Sequence, residues 1–120
     1  MNSESIKSIR VGICGFGTVG GGSYNLLLNN GEEIARRVGS AIDVVRIASR
    51  SIKSGDVAST VRISSDPFDV VNDPDLDIVI ETIGGFEPAF EVVRQALANG
   101  KHVVTANKAL IAERGNELFA

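Results

Sequence analysis

Between Ile9 and Asn29 the chain passes from an apolar strand through a glycine turn into a helix. The turn, Gly15-Phe16-Gly17-Thr18-Val19-Gly20, spaces its glycines as G-x-G-x-x-G. This junction constrains the fold more than any other stretch, because each glycine has a separate physical task. Gly15 permits a tight turn out of the strand. Gly17, with no Cβ, lets a pyrophosphate approach the backbone. Gly20 lets the helix pack closely on the strand. The helix then offers unpaired N–H groups and the positive end of its dipole to an anion. Taken alone the pattern also fits a purely structural turn. Its place at the first strand and its continuation into Gly21 and Gly22 favour a dinucleotide site. A glycine inside a helix costs about 1 kcal/mol relative to alanine, so a run of them at a helix start marks a backbone that must be approached.

The rest of the chain alternates strand and helix. Expected strands are Ile9 to Cys14, Ile42 to Ala48, Val61 to Ser64, Asp77 to Glu81 and Lys101 to Thr105. Expected helices are Thr18 to about Asn29, with Tyr24, Leu27 and Leu28 on its apolar face, then Glu32 to Val38, and a short one opened by Asp66-Pro67. Another runs from Pro88 to about Ala98, with Val92, Val93, Ala96 and Leu97 on its buried side, and a last one extends from Asn107 to Leu118. Asp as N-cap with Pro at the first position is a helix-start signal, and Asn99-Gly100 a helix-stop signal. This order predicts an α/β, Rossmann-type doubly wound parallel sheet with helices on both faces. We divide the chain into an N-terminal tail, 1–8, and one cofactor-binding domain, 9–120.

Composition narrows the function classes. The chain has 120 residues, 43% hydrophobic and 22% charged, the balance of one globular domain. A net charge of -3 argues against a general nucleic-acid binder. No apolar run approaches the roughly 18 residues of a membrane helix, and the start has no signal-peptide core. The single cysteine, Cys14, rules out an internal disulfide and reads as a small core residue of a cytoplasmic protein. One histidine, His102, and scattered acids give no metal-ligand spacing.

In open parallel sheets ligands bind outside the carboxyl ends of the strands. That rule gathers the glycine turn, Ser49-Arg50 after strand two, Thr82 to Phe86 after strand four, and Thr105 to Lys108 after strand five. An NAD-preferring site usually carries Asp or Glu after strand two. Here Arg50 stands instead, able to pair with a 2′-phosphate, with Ser49 and Lys53 nearby in sequence. This favours NADP(H), with NAD possible, although a solvated arginine fits the same place. Glu81 is either a catalytic acid or a carboxylate that stabilises a turn. Gly84 and Gly85 allow close backbone approach or simply a turn. Lys108 is either a solvated lysine or a donor to a substrate carbonyl as hydride arrives at carbon.

The motifs Ile80-Glu81-Thr82-Ile83-Gly84-Gly85, Glu87-Pro88-Ala89 and Asn99-Gly100-Lys101-His102-Val103-Val104-Thr105-Ala106-Asn107-Lys108-Ala109-Leu110, in this order, resemble the N-terminal cofactor domain of the homoserine dehydrogenases. The resemblance spans Val11 to Phe119. It implies an oxidoreductase that interconverts L-aspartate 4-semialdehyde and L-homoserine with NAD(P)H, in threonine and methionine biosynthesis. It also implies that Gly15 to Gly20 hold the pyrophosphate and that Arg50 reads the adenosine phosphate. Thr82, Ile83, Gly84, Gly85, Thr105 and Asn107 would border the nicotinamide, and Lys108 would act at the substrate carbonyl. Thr82 stands where many relatives are expected to carry an aliphatic residue. Family members continue into a domain that binds substrate, forms the homodimer and supplies further catalytic residues and a monovalent-cation site. The expectation is therefore a truncated cofactor domain, inactive by itself. Other readings are the cofactor domain of a different semialdehyde or imine reductase, an NAD(P)-sensing module without catalysis, and a flavodoxin-like scaffold that binds no dinucleotide.

Overall fold

The computed structural model describes residues 8–50, 52, 54–58, 60–83 and 88–106. Its elements are β1 (Ile9–Cys14), α1 (Thr18–Asn29), α2 (Gly31–Val38), β2 (Ile42–Ala48), a 3-10 turn (Ser54–Asp56), β3 (Arg62–Ser64), α3 (Pro67–Val71), β4 (Ile78–Glu81), α4 (Ala89–Ala98) and β5 (His102–Thr105). The strands form one parallel sheet in the order β3-β2-β1-β4-β5. The order reverses at β1. It is that of a Rossmann-type sheet, in which the crevice at the reversal takes the ligand.

Strand alternation divides the core into two layers. Val11, Ile13 and Ile47 turn to the α1 side, where they meet Tyr24 and Val61. Cys14, Ala48 and Val79 turn to the other side, beneath Val70 and Val71 of α3 and Val92 and Ala96 of α4. Burial on both faces explains why β1, β2 and β4 read as nearly continuous apolar runs. α1 starts at Thr18 and α3 at Pro67, as the sequence predicts, whereas α2 starts at Gly31, one residue before the expected Glu32, and α4 at Ala89, one residue after the expected Pro88. Asp66 caps α3 by accepting from the Phe68 N–H at 2.9 Å, with Pro67 at the first position.

Three strands begin one residue later than expected, because the residue before each is used differently. Val61 belongs to the α1-side core. Asp77 receives the Arg10 backbone N–H on its carboxylate at 2.9 Å, while its own N–H donates to the Arg10 carbonyl. Lys101 is buried, and its ammonium donates to the Asp73 and Leu76 carbonyls of the loop between α3 and β4. That lysine has stem enough to run along the apolar interior and place its ammonium on these two carbonyls. Asp73 also pairs with Arg46 at 2.6 Å. Burial alone would raise the Asp73 pKa, but the Asp75 N–H and the Arg46 guanidinium outweigh it and hold the carboxyl below its ordinary range.

The α1 face is narrower than the sequence suggests. Tyr24 is buried, whereas Leu28 is 60% exposed. Leu27 is half-buried, and the covered face stops there, where the chain leaves α1 at Asn30 and turns directly into α2. The expected turn at Gly84-Gly85 and the closing helix from Asn107 lie outside the described residues.

Candidate functional site

Backbone pairing continues one residue beyond the strands and draws their carboxyl ends together. The Gly15 N–H donates to the Ala48 carbonyl at 2.8 Å, Thr82 N–H to Cys14 at 2.9 Å, Ser49 N–H to Ser64 at 2.8 Å and Ala106 N–H to Glu81 at 3.1 Å. Above this edge lies a cleft of about 420 Å³ lined by Gly15, Phe16, Gly17, Ala48, Ser49, Arg50, Ser65, Pro67, Thr82, Ile83 and Pro88. The structure thus brings together three of the four segments that the strand-end rule selected. Ala48, Pro67, Ile83 and Pro88 supply apolar wall, and Ser49, Arg50 and Ser65 supply polar groups, with Arg50 exposed.

The glycine turn meets the requirements of a phosphate cradle. Gly15 has φ +91°, a backbone conformation that L side chains rarely adopt. At Gly17 a Cβ would meet nothing within 4 Å, so the space beside this backbone is open. At Gly20 a Cβ would lie 2.3 Å from the Gly15 carbonyl oxygen and 2.9 Å from Thr82 Oγ1. The close packing that Gly20 permits is therefore against the turn and Thr82 rather than against β1 itself. Gly17 stands at the N-cap of α1 without a side-chain cap, and no acidic residue occupies the first turn. Thr18, Val19 and Gly20 form that turn, leaving a twelve-residue helix with its N-terminal donors facing the cleft end of the sheet.

Behind the cleft is a row of three side chains on paired strands, Cys14, Glu81 and Thr105. Glu81 is fully buried. Thr105 Oγ1 donates to Glu81 Oε1, and Glu81 Oε2 has no hydrogen-bond partner among the described residues. Burial raises the Glu81 pKa above the ordinary carboxylate range, while the Thr105 hydroxyl and the Ile83 N–H pull the other way. Burial, with the Glu81 charge second, pushes the Cys14 thiol up to about 12. That thiol is an inert core group that reaches the Pro67 carbonyl. Glu81 therefore ties β4 to β5 at the site's floor, as a turn-stabilising carboxylate would. The Thr105 hydroxyl points into this row, and Thr105 does not line the cleft. His102 is exposed at the start of β5, at the opposite end of the sheet.

Thr82 and Tyr24 show features that the sequence reading missed. The Thr82 hydroxyl lies 3.0 Å from the Cys14 carbonyl oxygen and 3.1 Å from that of Gly15, so it is spent on the glycine turn. Tyr24 packs on the Phe16 ring at 5.9 Å, and its hydroxyl accepts from the Ala58 N–H at 2.9 Å, tethering the segment after β2 to α1. No short-range pattern signals either contact, since each joins segments more than thirty positions apart. Lys53, Gly84, Gly85, Asn107 and Lys108 lie outside the described residues. Among the described residues no group of acids, histidines and cysteine is arranged to hold a metal ion, and no helix is long and apolar enough to cross a membrane.

A parallel sheet in this order, with an uncapped glycine turn at its point of reversal, defines a Rossmann-type dinucleotide-binding domain. Residues 15–120 match the family model described as homoserine dehydrogenase, NAD binding domain, and the chain belongs to that family. It is 54% identical over 115 residues to a homoserine dehydrogenase of Pseudomonas aeruginosa, covering 96% of this chain and 26% of that protein. It is 50% identical over 109 residues to one of Methylobacillus glycogenes, covering 89% and 26%. A crystal structure of a homoserine dehydrogenase from Thiobacillus denitrificans superposes with a TM-score of 0.87 at 56% identity, over 95% of this chain and 27% of that one. One from S. aureus superposes with a TM-score of 0.81 at 33% identity, over 94% and 29%. The chain thus spans about a quarter of the length of the curated relatives it matches.

Two outcomes follow from this geometry. Gly20→Ala forces the Gly15 carbonyl to move and should weaken nicotinamide-dinucleotide binding at least tenfold. Gly22→Ala, where a Cβ meets nothing, should leave binding unchanged and raise stability by up to about 1 kcal/mol. Calorimetric titration and denaturant unfolding of both variants check this. The second outcome concerns pH. A carboxyl whose pKa is raised by folding contributes stability below its unfolded pKa and loses it as pH rises through the folded value. Glu81→Gln should therefore melt higher than the native protein at pH 8, with the gap closing as pH falls toward the ordinary carboxylate range. Melting curves across pH 4.5–8 read this, and a pH-independent gap would contradict it.

Proposed function

We propose that this chain is the cofactor-binding part of an oxidoreductase that interconverts L-homoserine and L-aspartate 4-semialdehyde, in threonine and methionine biosynthesis, with NADP(H) preferred over NAD(H). The observation that carries the reading is the open glycine turn sharing one cleft with Arg50. The family match supports a nicotinamide cofactor and the reaction class. The domain is taken as 9–120, preceded by a tail, 1–8, in a cytoplasmic enzyme that acts as a homodimer.

The residues divide the work by chemistry. The turn from Gly15 to Gly20, including Phe16, Thr18 and Val19, holds the pyrophosphate on backbone N–H groups at the α1 N-terminus. Arg50 pairs with the adenosine 2′-phosphate, helped by Ser49 and Lys53. Thr82, Ile83, Gly84, Gly85 and Asn107 form the nicotinamide end, with Thr105 supporting it from behind through its bond to Glu81. The bound nicotinamide supplies hydride transfer to or from the substrate carbon. Lys108 donates to the substrate carbonyl oxygen, stabilising the charge that develops there.

The reading is tested with two variants. Arg50→Ala should weaken NADPH binding by roughly 1–3 kcal/mol, the value of lost charge-assisted hydrogen bonds, and leave NADH binding nearly unchanged. Equal losses for the two cofactors would remove Arg50 as the phosphate reader. In the enzyme that carries this domain, Lys108→Ala should lower homoserine turnover far more than cofactor affinity, and unchanged turnover would return Lys108 to the solvent.

A further inference from the structure

We infer that Thr82 is a positioning residue whose hydroxyl holds the Gly15–Phe16 peptide in the orientation that turns the Phe16 N–H away from the protein, toward the cleft. The inference rests on the cofactor reading of that cleft and extends it to a residue that acts through the backbone.

Gly15 has a conformational freedom that other residues lack. At φ +91° a glycine can rotate its following peptide at little cost, so the glycine itself does not determine which way the plane faces. Two contacts determine it. Thr82 Oγ1 stands 3.1 Å from the Gly15 carbonyl oxygen. Gly20 of α1 comes close to the same oxygen, where even a methyl group would lie within 2.3 Å of it and 2.9 Å of Thr82 Oγ1. The carbonyl is drawn inward, onto the corner where α1 meets the end of β4. In a planar trans peptide the N–H points opposite to the C=O. A carbonyl drawn inward therefore sends the Phe16 N–H outward. Phe16 and Gly17 line the cleft together with Thr82.

Thr82 is itself held firmly enough to act as a latch. Its backbone N–H donates to the Cys14 carbonyl at 2.9 Å, and it follows the buried Glu81. Because Cys14 already receives that N–H, the hydroxyl is not needed to join β1 to β4. What the hydroxyl adds is reach to the turn, where the Gly15 carbonyl is its second acceptor. A hydroxyl has one proton, shared here between the Cys14 and Gly15 oxygens, and an aliphatic side chain at this position would supply none.

The test compares Thr82→Val, which keeps the shape and removes the hydroxyl, with Thr82→Ser, which keeps the hydroxyl. Titrated with NADPH and with NADH, Thr82→Val should lose about 3- to 10-fold in affinity for both, the range expected of one hydrogen bond. Thr82→Ser should remain within about twofold of native. Equal loss for the two cofactors marks the part they share rather than the adenosine phosphate. In the cofactor-free protein, the Phe16 and Gly17 amide resonances should move in Thr82→Val and stay in place in Thr82→Ser. Native affinity in Thr82→Val, or a loss in Thr82→Ser as large as in Thr82→Val, would overturn the inference. Native protein that binds neither cofactor would overturn the reading of the cleft, while the amide resonances would still decide whether Thr82 sets the turn.

Discussion

The site depends on one close contact, that of the Gly15 carbonyl with the Cα of Gly20. It fixes the angle at which α1 leaves β1 and so decides where the helix N-terminus points. Every other part of the cleft is arranged around that direction. Arg50 follows the strand beside β1 on one side, and Thr82 follows the strand beside it on the other. The contact requires glycine at both ends, one for its positive φ and one for its missing Cβ. Neither requirement can be met by local propensity, which disfavours glycine in a helix. The sheet core on both faces of β1 provides the stability against which this cost is set.

The sheet also explains why a carboxyl sits in the interior. Glu81 ends β4 at the point where strands stop and loops begin, and there it links β4 to β5 through Thr105. Its pKa is raised because the link is made away from solvent. A buried carboxyl of this kind stabilises the fold best when neutral. Asp73 at the opposite edge of the sheet is the contrary case. Partnered by the Asp75 N–H and Arg46, it is held in its charged form. Two acids of similar intrinsic strength shift in opposite directions because burial prevails at Glu81 and the partners prevail at Asp73.

Much of this architecture is legible in the chain itself. The apolar runs at Ile9, Ile42, Val61, Asp77 and Lys101, the Asp66-Pro67 helix start and the glycine spacing give five strands, the helices from α1 to α4 and the position of the cleft. What the sequence does not disclose are interactions between distant segments. Lys101 reads as a strand residue, yet its ammonium crosses to Asp73 and Leu76. Leu28 reads as part of a buried face, yet α1 ends before that face is covered. Thr82 reads as a group that borders the cleft, which it does, but its hydroxyl is engaged with the turn from below. In each case periodicity states which face a residue occupies and leaves open which partner waits there. The recognition motifs ending at Lys108 are read from the sequence alone, since that residue lies outside the described ones.

The most direct test of the account is an amide chemical-shift map of the protein titrated with NADPH. The account predicts saturable shifts concentrated in residues 15–20, 49–50 and 82–83, the carboxyl ends of β1, β2 and β4. Arg10, Ser40 and Asp75, at the opposite edge of the sheet, should stay unmoved. No shifts at saturating NADPH, or shifts centred on that opposite edge, would contradict it.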